Sequence, residues 1–290
     1  MGHINRFRTR SSTGFEVLSV VATSAVILLS ILLGAAPTSL TAQDLPETFR
    51  RPGLDPDFLF QRPRVSIGIR GGMFLHGAGS DLFDFTEENF TIDRCDFLTV
   101  DRCAFRGPSF GIEGGLWLGS RTEVTFGLDG SRVKLSSEYR DLVEDDGSAG
   151  GLPIQQTTQL TEGPTLSLGT RWYVLDRGEQ LSQLVWLPRS WNAFVSGGAG
   201  VTGYELKLSG DFVDEVDNAI STEQFTSSGH TFFPFLGVGL EIVISDHAAF
   251  TVEGRYLWGS DELGRDFNRD FIEPLDLSGA RLTAGFYYRN

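Results

Sequence analysis

The sequence predicts an all-β fold, a closed antiparallel up-and-down transmembrane β-barrel of eight strands that follows a signal peptide. Three observations lead to this prediction. Several segments alternate apolar and polar side chains, which places the two kinds on opposite faces of a strand. Long and short connections separate these segments in turn, as they do in outer-membrane barrels. An apolar run near the N-terminus follows several arginines, as in an export signal.

The last ten residues show the alternation most clearly. One face of this segment carries Leu282, Ala284, Phe286 and Tyr288. The other face carries Arg281, Thr283, Gly285, Tyr287 and Arg289. A strand of this kind separates hydrocarbon from a polar lumen. The alternative is a soluble, lipocalin-like barrel, which would place its apolar row inside and its charged row outside.

Residues 1–42 have the features of a signal peptide. Three arginines precede an almost wholly apolar run at 17–36, and Ala42 provides a small residue before a cleavage point at Gln43. The run is also long enough to remain as an uncleaved membrane anchor. Residues 43–63 contain four prolines and are predicted to form an irregular arm, so that the barrel comprises residues 64–290.

Eight segments carry the strand pattern. They lie at about 64–75, 108–118, 122–139, 157–174, 191–208, 230–244, 248–259 and 281–290. The fifth segment is less regular, because Val201 lies on one face whereas Tyr204 and Leu206 lie on the other. A bulge near Gly203 would produce this change of face.

The connections support an up-and-down order. Those at 76–107, 140–156, 209–228 and 260–275 are long, whereas those at 119–122 and 245–247 are short. The connection at 175–190 is too long for a tight turn. It is predicted to be an amphipathic interfacial segment, and the alternative is a further strand pair that would raise the count to ten.

The polar faces of these strands carry charges of both signs. The predicted inward charges are Arg70, Glu113, Glu123, Asp129, Arg171, Glu241, Glu253, Arg255 and Arg281. Buried charges are costly unless they are paired, and the interior of an eight-stranded barrel is just wide enough for side chains to fill it. We interpret these residues as an internal network of salt bridges. The alternative is a narrow ion-selective pore or a proton-coupled gate.

The chain has two cysteines, Cys95 and Cys103, close together in a predicted long connection. In an exported protein this spacing favours one disulfide over two free thiols. Two cysteines without a nearby histidine are a poor metal site.

The C-terminus also resembles a known signal. Gly285 and Tyr288 match the glycine and an aromatic position of the pattern that barrel-assembly machinery reads, although Asn290 replaces the final aromatic residue. With the strand pattern, this makes residues 64–290 similar to the small eight-stranded outer-membrane β-barrel family, of which the outer membrane protein A transmembrane domain is an example. The resemblance implies a bacterial outer-membrane location and contact with its lipids.

Composition excludes several functions. The formal net charge of −14 disfavours nucleic acid as a partner. Residues 198–203 match a dinucleotide-binding fingerprint, but the strand pattern continues where a helix should begin, so no cofactor is predicted.

The predicted external loops are acidic. They are either simply solvated or bind divalent cations that bridge to lipid headgroups.

Three functions remain open at this point. The first is a non-enzymatic barrel with a structural, adhesive or envelope-stabilising role. The second is a porin-like narrow channel for small solutes or apolar molecules. The third is a lipid-modifying enzyme that would use His76 and Ser80, which requires the two side chains to lie within hydrogen-bond reach of each other.

Overall fold

The computed structural model describes residues 62–91, 105–144, 151–182, 185–213, 219–264, 267 and 273–290. The predicted signal peptide, the arm up to residue 61, and Cys95 and Cys103 lie outside the described residues. In chain order the elements are β1 Val65–His76, α1 Asp81–Asn89, β2 Phe90–Thr91, β3 Arg106–Trp117, β4 Thr122–Glu144, β5 Leu152–Tyr173, β6 Gly178–Ser182, β7 Val185–Pro188, β8 Trp191–Val213, β9 Ile220–Ser245, β10 Ala248–Leu257, β11 Ser260–Asp261, β12 Leu275–Asp276 and β13 Gly279–Arg289.

Eight of these strands close into one antiparallel ring. The ring order is β1, β3, β4, β5, β8, β9, β10 and β13, and each strand pairs with the next one in this order. The first and last members pair from Ser66 opposite Arg289 to His76 opposite Gly279, which closes the barrel. The predicted eight-stranded up-and-down barrel is therefore confirmed.

The exterior of the ring is apolar and its interior is charged. On β13, Leu282 is 55% exposed and Phe286 is 58% exposed, whereas Arg281 and Arg289 are buried. The other strands repeat this arrangement, with exposed Ile69 on β1 among their outward residues. A soluble barrel would have the reverse arrangement, so the outer surface is the one that faces lipid. No helix among the described residues has the length and hydrophobicity to cross a membrane.

The barrel has two different ends. The turn end holds the short connections at 118–121 and 246–247 and both termini of the ring, where the Arg64 amide donates to the Asn290 carbonyl (2.8 Å). The loop end holds the long connections. Four strands, β4, β5, β8 and β9, contain 22 to 26 residues, about twice the 9–11 that cross a bilayer. They therefore extend beyond the membrane at the loop end.

The interior of this extension is an apolar core. Its buried residues are Ala78, Leu82, Phe83, Phe105, Val133, Leu160, Tyr204, Leu206, Leu208, Leu263, Phe267, Leu275 and Leu277. Some come from the inward faces of the long strands, and others come from α1 and from the residues that connect β11 to β13. The core fills the loop end of the barrel with tightly packed side chains.

The predicted bulge near Gly203 is wrong. Strands β8 and β9 keep one register from Trp191 opposite Ile242 to Val213 opposite Ile220, without a shift. The apolar residues change face because the surroundings change. At membrane level Val201 points outward into lipid, whereas beyond the membrane Tyr204 points inward, away from water. The irregularity lies instead in β5, between Glu162 and Thr165.

The long connection after β5 contains the hairpin formed by β6 and β7. These two strands make a separate two-stranded sheet, in which Gly178 lies opposite Pro188. The further strand pair considered from sequence is therefore present, but it lies outside the ring, and the barrel count stays at eight.

Candidate functional site

The interior of the barrel at membrane level is filled by ionisable side chains. Among the described residues, six arginines and six carboxylates are buried there, so their formal charges cancel. They are Arg70, Arg171, Arg177, Arg255, Arg281, Arg289, Glu113, Glu123, Asp129, Glu162, Glu241 and Glu253. All nine residues that the sequence pattern placed on the inward face belong to this set. We call the set the lumen network.

The centre of the lumen network is the carboxylate of Glu113 on β3. It pairs with Arg70 of β1 at 2.5 Å, with Arg255 of β10 at 2.7 Å and with Arg171 of β5. The Tyr287 hydroxyl also donates to it, at 2.9 Å. Four strands from different parts of the ring thus meet at one carboxylate. Such charge-assisted bonds satisfy the desolvated groups that burial would otherwise penalise.

Two further carboxylates complete the central layer. Glu253 accepts hydrogen bonds from Arg171 at 2.7 Å, from Arg255 at 2.6 Å and from the Ser196 hydroxyl at 2.6 Å. Asp129 accepts two hydrogen bonds from Arg70, one of them from Nε at 2.8 Å. Among the described residues, the lumen at this level is therefore occupied by interlocked side chains.

Inward glycines provide the space that these long side chains occupy. A Cβ atom added to Gly115 would collide with a Glu123 carboxylate oxygen and with the Ser66 hydroxyl, and one added to Gly111 would collide with the Asp129 carboxylate. Glycine is required at such positions because the side chain of another residue approaches its Cα atom closely.

A second layer lies at the turn end and is centred on Arg177. This residue comes from the connection between β5 and β6 and points into the barrel. Its guanidinium pairs with Glu241 at 2.6 Å and with Glu123 at 3.2 Å. It also lies over the rings of Trp117, at 3.4 Å from the centroid, and Tyr173, at 4.1 Å. Stacking on aromatic faces adds cation–π attraction to the ion pairs.

The hairpin after β5 holds Arg177 in place. The Arg177 amide donates to the Ser120 carbonyl at 3.1 Å, and the Arg177 carbonyl accepts from the Arg189 amide at 2.9 Å. Trp186 of β7 is buried against Trp117, with 5.9 Å between ring centroids. The hairpin and its arginine therefore close the turn end of the barrel.

An exposed ion pair also lies in these connections. Arg121, in the turn between β3 and β4, donates to Asp176 at 3.1 Å. The hydrogen bond from Arg121 holds the pKa of Asp176 well below its ordinary value, at about 2. The pair joins the two connections on the outside, close to the point where Arg177 enters the lumen.

The third layer, toward the loop end, is more loosely paired. Arg281 lies 3.6 Å from Asp129 and 3.7 Å from Glu162, and His76 lies 3.6 Å from Glu162. Both ring nitrogens of His76, one oxygen of Glu162 and the Nε atom of Arg281 have no hydrogen-bond partner among the described residues. A small cavity lined by Glu162, Arg281 and Thr165 lies at this level, directly below the apolar core.

The residues of the predicted assembly signal lie on β13 near its end. Gly285 lies between Arg70 of β1 and Thr251 of β10 in the register. Tyr288 points outward, is 54% exposed and stacks on His247 at 5.7 Å between ring centroids. Its position therefore suits contact with lipid at the turn end.

Three charged members of the lumen network were not among the predicted inward charges. Arg177 lies in a connection, where no alternation indicates its direction. Glu162 lies at the irregularity in β5, where the alternation is interrupted. Arg289 does have the inward parity of its strand, so the same alternation that selected Arg281 could have found it. Among the described residues, no three or more metal-ligating side chains form a group that could hold an ion.

Comparisons with known proteins found outer-membrane β-barrels among solved structures. One is the N-terminal β-barrel domain of Pseudomonas aeruginosa OprF, with 11% identity and a TM-score of 0.31 over 79% of this chain and 100% of that chain. Another is Neisserial surface protein A, with 11% identity and a TM-score of 0.36 over 81% and 98%. A third is the Escherichia coli outer membrane protease OmpT, with 10% identity and a TM-score of 0.34 over 81% and 99%.

No protein-family model and no curated protein matches the sequence. At such low TM-scores the structural likeness adds no argument about shared function. The assignment as a membrane barrel therefore rests on the closed ring of strands and on the apolar exterior around a charged interior.

Proposed function

We propose that the protein is a non-enzymatic outer-membrane barrel with a structural, adhesive or envelope-stabilising role. The observation that carries this proposal is the filled lumen. Arg177 and its hairpin close the turn end, the network around Glu113 fills the centre, and the apolar core fills the loop end. A barrel blocked at three successive levels is suited to act as a rigid membrane body.

The energetics of the lumen network support this function over transport. A conducting pore needs a continuous path that is filled with water or lined by groups that replace the hydration shell of the ion. Opening such a path here would require separation of several buried ion pairs at once. Removal of one partner from a buried pair costs about 3–5 kcal/mol, because the other charge is left without compensation. The closed arrangement is therefore strongly favoured.

The arrangement of His76 and Ser80 disfavours hydrolysis of lipids. A serine hydrolase needs its histidine within hydrogen-bond reach of the serine. In the part of the chain that the structure describes, neither ring nitrogen of His76 has a hydrogen-bond partner, and the same is true of the Ser80 hydroxyl. The His76 side chain is also buried inside the barrel, on the opposite side of the strand from the lipid-facing surface.

Several further features belong to the same proposal. Residues 1–42 would direct export and be cleaved after Ala42, and the barrel-assembly machinery would recognise Gly285 and Tyr288. The turn end would then face the periplasm and the loop end the exterior. Cys95 and Cys103 would form a disulfide in an external loop, and acidic external loops would bind divalent cations.

Planar-bilayer recording tests the closed lumen. Purified, folded protein is inserted into a bilayer in about 1 M salt. This ionic strength screens the exposed ion pairs strongly. We expect no discrete conductance steps. Reproducible steps that disappear when the protein is denatured before insertion would overturn the proposal and support the narrow channel instead.

Loss of the protein from its cell tests the envelope role. A deletion strain should become more sensitive to detergents, and both the wild-type protein and a variant in an exposed loop should restore resistance. Unchanged resistance, together with unchanged adhesion to surfaces, would contradict the proposed role even if the barrel does not conduct.

A further inference from the structure

The outward face of the barrel has a sharp boundary on strands β3 and β4. On β3 the lipid-facing row runs through Ile112 and Phe110, both exposed, and ends at exposed Arg106. On β4 the row contains Leu128 and then changes to exposed Arg132 and Lys134. The inward face of β4 changes at the same level, where buried Asp129 is followed by buried Val133. Both faces therefore locate the lipid boundary just below the three basic residues.

These three residues form one cluster. Ser109 of β3 lies opposite Ser131 of β4, and continuation of this antiparallel register places Arg106 opposite Lys134. The two strands stay adjacent there, because a Cβ atom on Gly107 would collide with the Arg132 carbonyl. Side chains directly opposite each other on one face are about 5 Å apart at Cβ, and diagonal neighbours are about 7–8 Å apart. We call Arg106, Arg132 and Lys134 the rim cluster.

The rim cluster lacks carboxylate partners among the described residues. Arg132 donates to the Gln159 side chain at 2.8 Å, and no ion pair joins any of the three residues to a carboxylate in the part of the chain that the structure describes. A nearby cation differs in this respect, because Lys207 on β8 pairs with Glu205 at 2.6 Å. Like charges opposite each other destabilise a strand pair. In a chain with a net charge of −14, three adjacent cations without carboxylate partners among the described residues form a local positive site that can attract an external anion.

The position of the rim cluster identifies the kind of anion. Its side chains point outward from the lipid-facing surface at the level where the apolar belt ends, which is the level of lipid headgroups. Phe110 lies four residues below Arg106 on the same face and would contact the acyl chains. Two arginines suit phosphate, because the planar guanidinium binds it with two parallel hydrogen bonds. We propose that the rim cluster binds the phosphate groups of a phosphorylated lipid in the external leaflet.

This inference rests on the proposed outer-membrane orientation, in which the loop end faces the exterior. It adds a specific lipid site to the general contact between barrel and membrane. The expected ligand carries phosphate and acyl chains in one molecule, so that the cations and the apolar belt act together. A phosphate that is free in water satisfies only the first of these two contacts.

Lipid titration of the folded full-length protein tests the proposal. Protein in a non-ionic detergent is titrated with diphosphorylated lipid A and, separately, with the same lipid after removal of its phosphates, and bound lipid is measured by native mass spectrometry. We expect at least tenfold weaker binding of the dephosphorylated lipid. Each basic residue near an anionic lipid surface contributes about fivefold in affinity, so a triple R106S/R132S/K134S variant should lose at least tenfold toward diphosphorylated lipid A.

The matched control is Lys207→Ser. It removes one exposed cation from the same external region, but that cation is already paired with Glu205. We expect a change of less than twofold for K207S and about fivefold for K134S. Equal losses in the two variants would show that only overall charge matters and would overturn the rim cluster as a site. Heat-modifiable migration on gels checks that each variant is folded.

Two further outcomes are decisive. Equal binding of the phosphorylated and dephosphorylated lipids would overturn the proposal, because apolar contact alone would then explain binding. Binding of inorganic pyrophosphate as tightly as diphosphorylated lipid A would overturn the lipid as the source of the anion. The proposed closed barrel is tested independently, because bilayer conductance does not depend on the rim cluster. If the phosphorylated lipid shows no preferential binding and the bilayer recordings show no conductance steps, only the proposed lipid site is contradicted.

Discussion

Arg177 and Glu241 form an ion pair of 2.6 Å inside the turn end of the barrel, although 64 residues separate them in the sequence. One partner comes from a connection outside the ring and the other from the inward face of β9. The contact places a side chain from an unusually long connection inside the lumen. It also explains why the connection after β5 departs from the short turns at 118–121 and 246–247.

Replacement of Arg177 should destabilise the barrel more than any exposed arginine does. Arg177→Ala leaves Glu123 and Glu241 buried with fewer partners, at a cost of about 3–5 kcal/mol in the free energy of unfolding. Urea unfolding in detergent micelles, followed by tryptophan fluorescence, measures this change. The matched control is Arg121→Ala in the neighbouring exposed pair, for which we expect no measurable change. Equal effects of the two variants would contradict a closing role for Arg177.

Two arginines of the lumen network should differ in their contribution to stability. Arg171 pairs closely with Glu113 and Glu253, so Arg171→Met should cost about 3–5 kcal/mol. Within the described ranges, Arg281 makes only long ion pairs of 3.6 Å and 3.7 Å, and its Nε atom has no hydrogen-bond partner. We therefore expect Arg281→Met to cost less than half as much, because the desolvation of this guanidinium is poorly compensated. Comparison of the two urea midpoints decides the prediction, and a larger loss for Arg281→Met would contradict it.

The space at Gly115 should be essential for the lumen network. Gly115→Val places side-chain atoms where the Glu123 carboxylate lies, and overpacking of this kind costs about 1–3 kcal/mol. Refolding yield into detergent, read from heat-modifiable migration, should fall. Gly119→Ala is the control, because an added Cβ atom there meets nothing within 4 Å. Wild-type yield for Gly115→Val would show that the carboxylate can move without cost.

The predicted assembly signal can be tested in both directions. Tyr288→Ala should slow the appearance of folded barrel in cells, because it removes an aromatic position that the assembly machinery would read. Asn290→Phe should accelerate it, because this change completes the pattern. The folded fraction after pulse labelling, again separated by heat-modifiable migration, measures both rates. If Tyr288→Ala also slows refolding into detergent without the machinery, the residue acts through barrel stability instead.

Strand alternation was sufficient to predict which residues face the lumen in the regular strands. Arg70, Glu113 and Arg255 have the inward parity, and the structure brings all three together. Alternation could not predict which of them meet, because the pairs cross the lumen between strands whose relative heights are set by ring closure. It also could not assign Glu162, because the irregularity in β5 interrupts the parity.

The apolar residues of β8 change from the outward to the inward face, which shows a second limit of prediction from strand alternation. Val201 faces outward and Tyr204 faces inward on one continuous strand, and the sequence alone suggested a bulge between them. Parity identifies the two faces of a strand but does not reveal the height at which lipid gives way to water. Only the assembled barrel places the change on β4 and β8 at corresponding levels and thereby identifies it as the membrane boundary.

The sequence by itself determined that this chain forms an antiparallel membrane barrel, because side chains alternate with the fixed period of two that a strand imposes. The tertiary structure alone decided how charged side chains fill the lumen. That filling depends on Arg177, whose connection has no periodicity to indicate its direction, and on contacts between residues that ring closure brings together from distant parts of the chain.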